Sequence, residues 1–187
     1  MNVLIIPEDF RNDQYILGPL VTAMFAGLDF PRTKVLVCQE PRLRGVAEAM
    51  NRERLGDVLD RYPMVDLFML CVDRDGETSR DDALRGIEAW AAAKLGHRRR
   101  LLGCCAQEEV EVWLLAGLDL PPAWRWRDIR GSRNPKEEYF EKLAKMCSVA
   151  DGPGGGRRAL GARAARNYRR VAQLCPELAE LADRLPR

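Results

Sequence analysis

Two acidic stretches in this 187-residue chain stand where oxygen-ligand chemistry can be done. Asp73-Arg74-Asp75-Gly76 follows the apolar run at 65–72 directly, and Pro7-Glu8-Asp9 follows the run Val3-Leu4-Ile5-Ile6. Alternate residues of an extended segment point the same way, so Asp73 and Asp75 can offer carboxylates to one cation. Glu8 joins them if the two strands are neighbours. Hard oxygen donors of this kind suit Mg²⁺ or Mn²⁺, with waters completing the shell. Gly76 permits the sharp exit that such a turn needs. DxDG also occurs in ordinary surface turns, which Asp and Gly favour on their own account. The glutamate at a second strand end is what favours the metal reading.

A third acidic patch lies at 107–115. Glu108 and Glu111 are three apart and share a helical face, opposite Val110, Trp113 and Leu114. Two readings stay open for this pair, metal ligation and complementing the helix dipole in a first turn. Glu109 is assigned to the dipole alone.

These residues need strands and helices to hold them. Short continuous apolar runs at 3–6, 34–38, 65–72 and 101–105 read as strands covered on both faces. Helical spacing predicts helices over 13–26, 45–61, 81–95 and 107–118. Strands alternating with helices, too far apart for hairpins, make an α/β fold with a mostly parallel four-stranded sheet flanked by helices. In such sheets ligands gather at the carboxyl ends of the strands. Beyond residue 120 the strands stop. Asn134 and Pro135 mark a helix start, 151–156 reads as a flexible loop, and the remainder reads as two helices divided at Pro176. The expected organisation is a core over 1–120 and a helical, arginine-rich cap of the same domain over 121–187.

Composition narrows the classes. The chain is 47% hydrophobic and 31% charged, which is globular. No run approaches a membrane span and no signal core follows a basic start, so a cytoplasmic protein without a membrane partner is expected. The six cysteines show no CxxC spacing and read as buried reduced thiols. His97 is the one histidine, which argues against histidine-rich metal sites and a Ser-His-Asp arrangement. There is no GxxxxGK[ST] motif, so no ATPase of its own is expected.

Glu8 after the first strand and Asp73-Arg74-Asp75 after the third resemble the TOPRIM fold of topoisomerases, bacterial primases and OLD-family nucleases. In OLD-like members a second acid follows the glutamate closely, and Asp13 is its candidate here, one residue further along than usual. The stretch from Glu108 to Leu115 and the later Asn134-Pro135-Lys136 look like a bacterial TOPRIM-type family of unknown function with "E-x-E-x-W-L-L" and "x-P-K" segments. The resemblance implies phosphoryl transfer on nucleic acid, DNA in preference to RNA. Metal ligands would come from Glu8, Asp13, Asp73, Asp75, Glu108 and Glu111, with Glu8, Asp73, Asp75 and Lys136 catalytic. Lys136 would either approach the scissile phosphate or stand simply exposed. Topoisomerases also need a catalytic tyrosine on a second DNA-gripping domain, so the expectation is a nuclease, working beside a separately encoded ATPase in bacterial defence or repair. The rival expectations are a non-catalytic binding or scaffold subunit and an enzyme acting on a free nucleotide.

The net charge of +2 hides an asymmetry, because 151–187 holds eight arginines against four acids. Arg157, Arg158, Arg163, Arg166, Arg169 and Arg170 could follow a phosphate backbone, or be a solvated face. Trp124 and Trp126, with Arg125, Arg127 and Arg130, could stack on bases or simply pack.

Overall fold

The computed structural model describes residues 1–30 and 32–185. Strands β1 (Asn2–Pro7), β2 (Lys34–Val37), β3 (Leu67–Asp73) and β4 (Arg100–Ala106) form one sheet in the order β2-β1-β3-β4, every neighbouring pair parallel. The apolar runs account for this arrangement. β1 and β3 are central, and their side chains are buried on both faces. β2 is an edge strand of alternating exposure, its pattern weaker because only one face meets helices.

Helix α1 (Phe10–Gly27) returns the chain from β1 to β2 on one face. Helices α2 (Val46–Ala49), α3 (Arg52–Arg61) and α4 (Arg80–Leu95) cover the other. The helix expected over 45–61 is therefore two. Asn51 breaks it and caps α3, its side-chain oxygen accepting from the N–H groups of Glu53 and Arg54. Crossovers leave β1 and β3 toward opposite faces, which makes the β1/β3 junction a topological switch point, where parallel sheets open a crevice.

The segment expected as a helix from 107 is helical only as α5 (Glu111–Ala116). Then come α6 (Trp126–Gly131), a π-helical turn Lys136–Phe140, and α7 (Glu141–Met146). After Pro176 the chain is one helix as expected, α10 (Pro176–Asp183), but the stretch before it divides into α8 (Arg157–Arg166) and α9 (Tyr168–Leu174). Leu160, Val171, Leu178 and Leu181 from these helices share one buried cluster with α1 and the sheet. All six cysteines are free, and all but half-buried Cys147 are buried. Among the described residues no helix is long and apolar enough to cross a membrane.

The closest helix crossing explains two residues that helix propensity disfavours. Pro19 inside α1 has no N–H to give the Tyr15 carbonyl four residues back. Gly161 of α8 lies against that same carbonyl, so near that an added Cβ would sit 2.1 Å from its oxygen. Gly161→Ala should cost about 1–3 kcal/mol by overpacking. Gly56→Ala, in open space within α3, should stabilise by up to about 1 kcal/mol. Urea unfolding of both variants checks the pair, and a neutral Gly161→Ala would rule out the close crossing.

Candidate functional site

Register brings the two acidic motifs together. Pro7 pairs with Cys71, so Glu8 and Asp73 leave adjacent strands side by side. The Glu8 carboxylate accepts the Asp73 N–H at 3.2 Å, and the Asp73 carboxylate accepts the Val110 N–H at 2.9 Å. Asp13, buried in the first turn of α1, accepts the Asp9 N–H at 3.0 Å. Glu111 opens α5 and is also buried.

These carboxyls crowd one another. Burial raises Asp73 well above the ordinary aspartate value, and the charges of Glu8, Glu111 and Asp13 push it further up. Burial lifts Asp13 to about 7, with Glu111, Asp9 and Glu8 adding to the effect against the Asp9 hydrogen bond. Glu8 is raised by burial and by Asp75, partly offset by the Asp73 N–H and by Arg80. Like charges at one strand-end crevice, poorly solvated, produce shifts in this direction.

Three of the expected ligands are placed differently from the sequence reading. Asp75 does not continue an extended strand. It turns into the left-handed region at φ 50°, followed by Gly76 at φ 71°, and its carboxylate stands exposed. The strict alternation of Asp73 and Asp75 is thus lost at the end of β3. Glu108 shares no helical face with Glu111. It precedes α5 at φ 61°, its carbonyl accepts the N–H groups of Arg74 and Asp75, and its carboxylate faces Arg133 at 3.5 Å. Backbone clamping of the Asp73–Gly76 turn is what this residue supplies. Glu111 is engaged by Arg157, whose Nε donates to it at 2.8 Å and whose terminal nitrogen also reaches the same oxygen.

Arg157 overturns its own expectation as well. It is buried rather than solvated, its guanidinium lies 4.5 Å from the centre of the Phe140 ring, and it donates to the Gly154 carbonyl at 2.8 Å. The loop expected to be flexible at 151–156 is accordingly a hydrogen-bonded turn, with Gly155 N–H on Gly152 O at 3.0 Å. Arg158, Arg163, Arg166, Arg169 and Arg170 are exposed. Trp124 and Trp126 pack against the core, Trp124 edge-on to Tyr139 at 5.2 Å, so packing and not display accounts for them.

Lys136 is half-buried. Its N–H donates to Glu109 at 2.8 Å, and its ammonium pairs with Glu137 at 3.1 Å. That pairing raises its pKa, with Glu109 and Glu111 adding to the rise, which puts Lys136 on the flank of the acidic centre. Glu109, assigned from sequence to the helix dipole, instead anchors this segment, and burial lifts its carboxyl to about 7. Arg133 was missed as well. Its guanidinium covers Gly76 so closely that a Cβ there would overlap it. Neither residue carries a sequence signal, since both partners lie far along the chain.

The donor set of Glu8, Asp13 and Asp73 is all oxygen, which fits a hard divalent cation. Among the described residues no three His, Cys, Asp or Glu side chains already stand as a coordinating group. Mg²⁺ is commonly held by one or two carboxylates plus water and substrate phosphate, and Glu8 and Asp73 are the carboxylates that would hold it here. Comparison with protein-family models, curated proteins and solved structures gave no match.

Two measurements check this electrostatic arrangement. A carboxyl raised on folding holds its proton more tightly in the native chain, so its contribution to stability is intact below the unfolded value and lost as pH rises through the folded one. For Asp13 that window runs from its ordinary 3.8 up to about 7. Stability should fall across it by on the order of a few kcal/mol, and Asp13→Asn should flatten the fall. An unchanged slope in that variant would refute the assignment. Separately, Arg157→Met should cost about 3–5 kcal/mol by stranding Glu111, and adding Glu111→Gln should recover part of the loss. Simple additivity of the two changes in urea unfolding would mean that they are not coupled.

Proposed function

We propose that this chain is a TOPRIM-type, Mg²⁺- or Mn²⁺-dependent nuclease that hydrolyses phosphodiesters, on DNA in preference to RNA. The observation that carries the proposal is the meeting of Glu8 and Asp73 at adjacent strand ends of the β1/β3 switch point, with Asp13 close enough to raise the affinity of Asp73 for protons. Sites that crowd carboxylates in this way gain most from a cation.

In this reading Glu8 and Asp73 would hold the metal, with Asp13 and the exposed Asp75 beside them. A bound divalent ion supplies Lewis acidity at the phosphate and lowers the pKa of water. The chain's own residues do the rest. The Val110 N–H and the Glu108 carbonyl fix Asp73 and the turn after it, so the carboxylate is oriented before substrate arrives. Glu111 stays paired with Arg157 and acts through its field, and not as a ligand. Lys136, flanking the centre, would release Glu137 to meet a phosphate oxygen. Any ATP-driven step would fall to a separately encoded partner, and bacterial defence or repair is the setting in which such a pair would work.

One observation favours a second reading, a non-catalytic subunit that kept the fold. Arg157 already provides an internal cation beside the acids, so the centre can persist without a metal. Titration calorimetry with Mn²⁺ separates the readings, since a scaffold would release no heat that Asp73→Asn removes. The nuclease reading is tested by metal-dependent cleavage of DNA and RNA. Asp73→Asn, which keeps an acceptor for the Val110 N–H, should lower the rate at least about 100-fold. Equal cleavage by wild type and variant would sink the site.

A further inference from the structure

Beside the acidic centre the start of α1 and the loop at 42–45 enclose an open pocket of about 630 Å³. Glu8 and Asp9 belong to its wall, so it is continuous with the carboxylate site. Arg11, Arg42 and Arg44 form much of the remainder. All three are exposed, and among the described residues none makes an ion pair or a side-chain hydrogen bond. Three other arginines around the centre are ion-paired: Arg74 with Asp81, Arg133 with Glu108, Arg157 with Glu111.

The arginine wall is fastened to the same backbone as the acids. Arg44 bridges Asp9 in antiparallel fashion, the Gly45 N–H donates to the Glu8 carbonyl at 3.1 Å, and the Arg44 N–H donates to Glu48 at 3.0 Å. The three guanidinium groups outnumber Glu8 and Asp9 in this lining, and their planar forks match phosphate oxygens. Half-buried Phe10 and buried Leu43 add an apolar side. The volume falls within the about 300–1,000 Å³ of small-ligand pockets, which admits a nucleotide unit or two and not a double helix.

We propose that this pocket grips a single strand of the substrate nucleic acid, with phosphates on Arg11, Arg42 and Arg44 and a base against Phe10, next to the carboxylate centre. The inference rests on the nuclease reading for what happens to that strand, but strand binding is measurable without cleavage. It also puts the electrostatic footprint elsewhere than on the C-terminal arginines, for which the sequence left a phosphate track and a solvated face both open.

The test is fluorescence anisotropy of a short labelled oligothymidylate in EDTA, across a salt series. Wild type is compared with Arg42→Ala/Arg44→Ala, with Phe10→Leu, and with Arg163→Ala/Arg166→Ala in the tail. Thermal melting confirms that each variant is folded. Losing two phosphate contacts should weaken binding at least about tenfold and reduce the salt slope by about 1.4. Phe10→Leu should weaken it at least about fivefold with the slope unchanged, as stacking is lost and charge kept. The tail variant should bind as wild type does, and a duplex of equal length should bind more weakly. Unchanged affinity in the Arg42/Arg44 variant, a larger loss in the tail variant, or tighter duplex binding would each overturn the proposal. Cleavage undiminished in Asp73→Asn would defeat the assignment of the carboxylate site alone, and leaves the anisotropy result to decide the pocket.

Discussion

The buried ion pair between Arg157 and Glu111 is the contact on which the acidic end of the molecule depends. Glu111 begins α5, and the residue before it donates the N–H that holds Asp73. Arg157 begins α8, and its guanidinium also meets the Phe140 ring and the Gly154 carbonyl. One side chain thereby joins the C-terminal helices, the π-helical turn and the loop after β4. Removing a charge from water is expensive, and a pair this deep is tolerable only because both partners are hydrogen-bonded. Without the guanidinium, Glu111 would add an uncompensated charge to Asp13 and Asp73, which are already held above their ordinary values. The pair therefore sets how much negative charge the switch point can accumulate.

A second, similar lock sits two residues further along α5. Trp113 Nε1 and both terminal nitrogens of Arg130 converge on Glu177 at 2.7–3.1 Å, tying α5 and α6 to α10. The two locks pin a helix of only six residues, too short to be stable by propensity. A short helix held by tertiary contacts is a suitable mount for a site, because its N-terminal residues are fixed from outside and do not fray. Rigid support of this kind keeps a repulsive carboxylate cluster in place, where a looser loop would let the charges separate.

The sheet was legible in the sequence because each buried strand is a continuous apolar run, and burial on both faces has no other simple source. Glu8 and Asp73 were legible for the same reason: a strand that ends in an acid marks its own carboxyl end. Asp75 and Glu108 were misplaced because positive φ in a non-glycine residue leaves no trace in residue spacing. Both are held there by one carbonyl-to-amide clamp between chain segments about 35 residues apart, and periodicity carries no information about such a clamp. Arg157 was read as surface because its neighbours Arg158, Arg163 and Arg166 are surface, and only the approach of Glu111 distinguishes it. The break at Asn51 had a signal, an asparagine cap before α3, which the apolar periodicity over 45–61 outweighed.

The sheet's edges add a constraint on where ligands can meet it. Along β4 the Gly103 N–H donates to Glu88 at 2.6 Å and the Gly103 carbonyl accepts from Arg184 at 3.2 Å, while Arg184 and Glu88 pair with each other. Side chains thus occupy the backbone positions that a fifth strand would need. The opposite edge, β2, is only four residues long and offers little ladder to extend. Both flat faces are covered by helices. With edges blunted and faces buried, the carboxyl ends of β1 and β3 are left open, and there the chain has gathered acids on one side of Glu8 and, on the other, arginines that make no ion pair among the described residues. Acids and arginines on opposite sides of one strand end give an anionic ligand a basic wall to approach along and an acidic neighbour that limits how far it advances, so the two halves of this surface set direction as well as affinity.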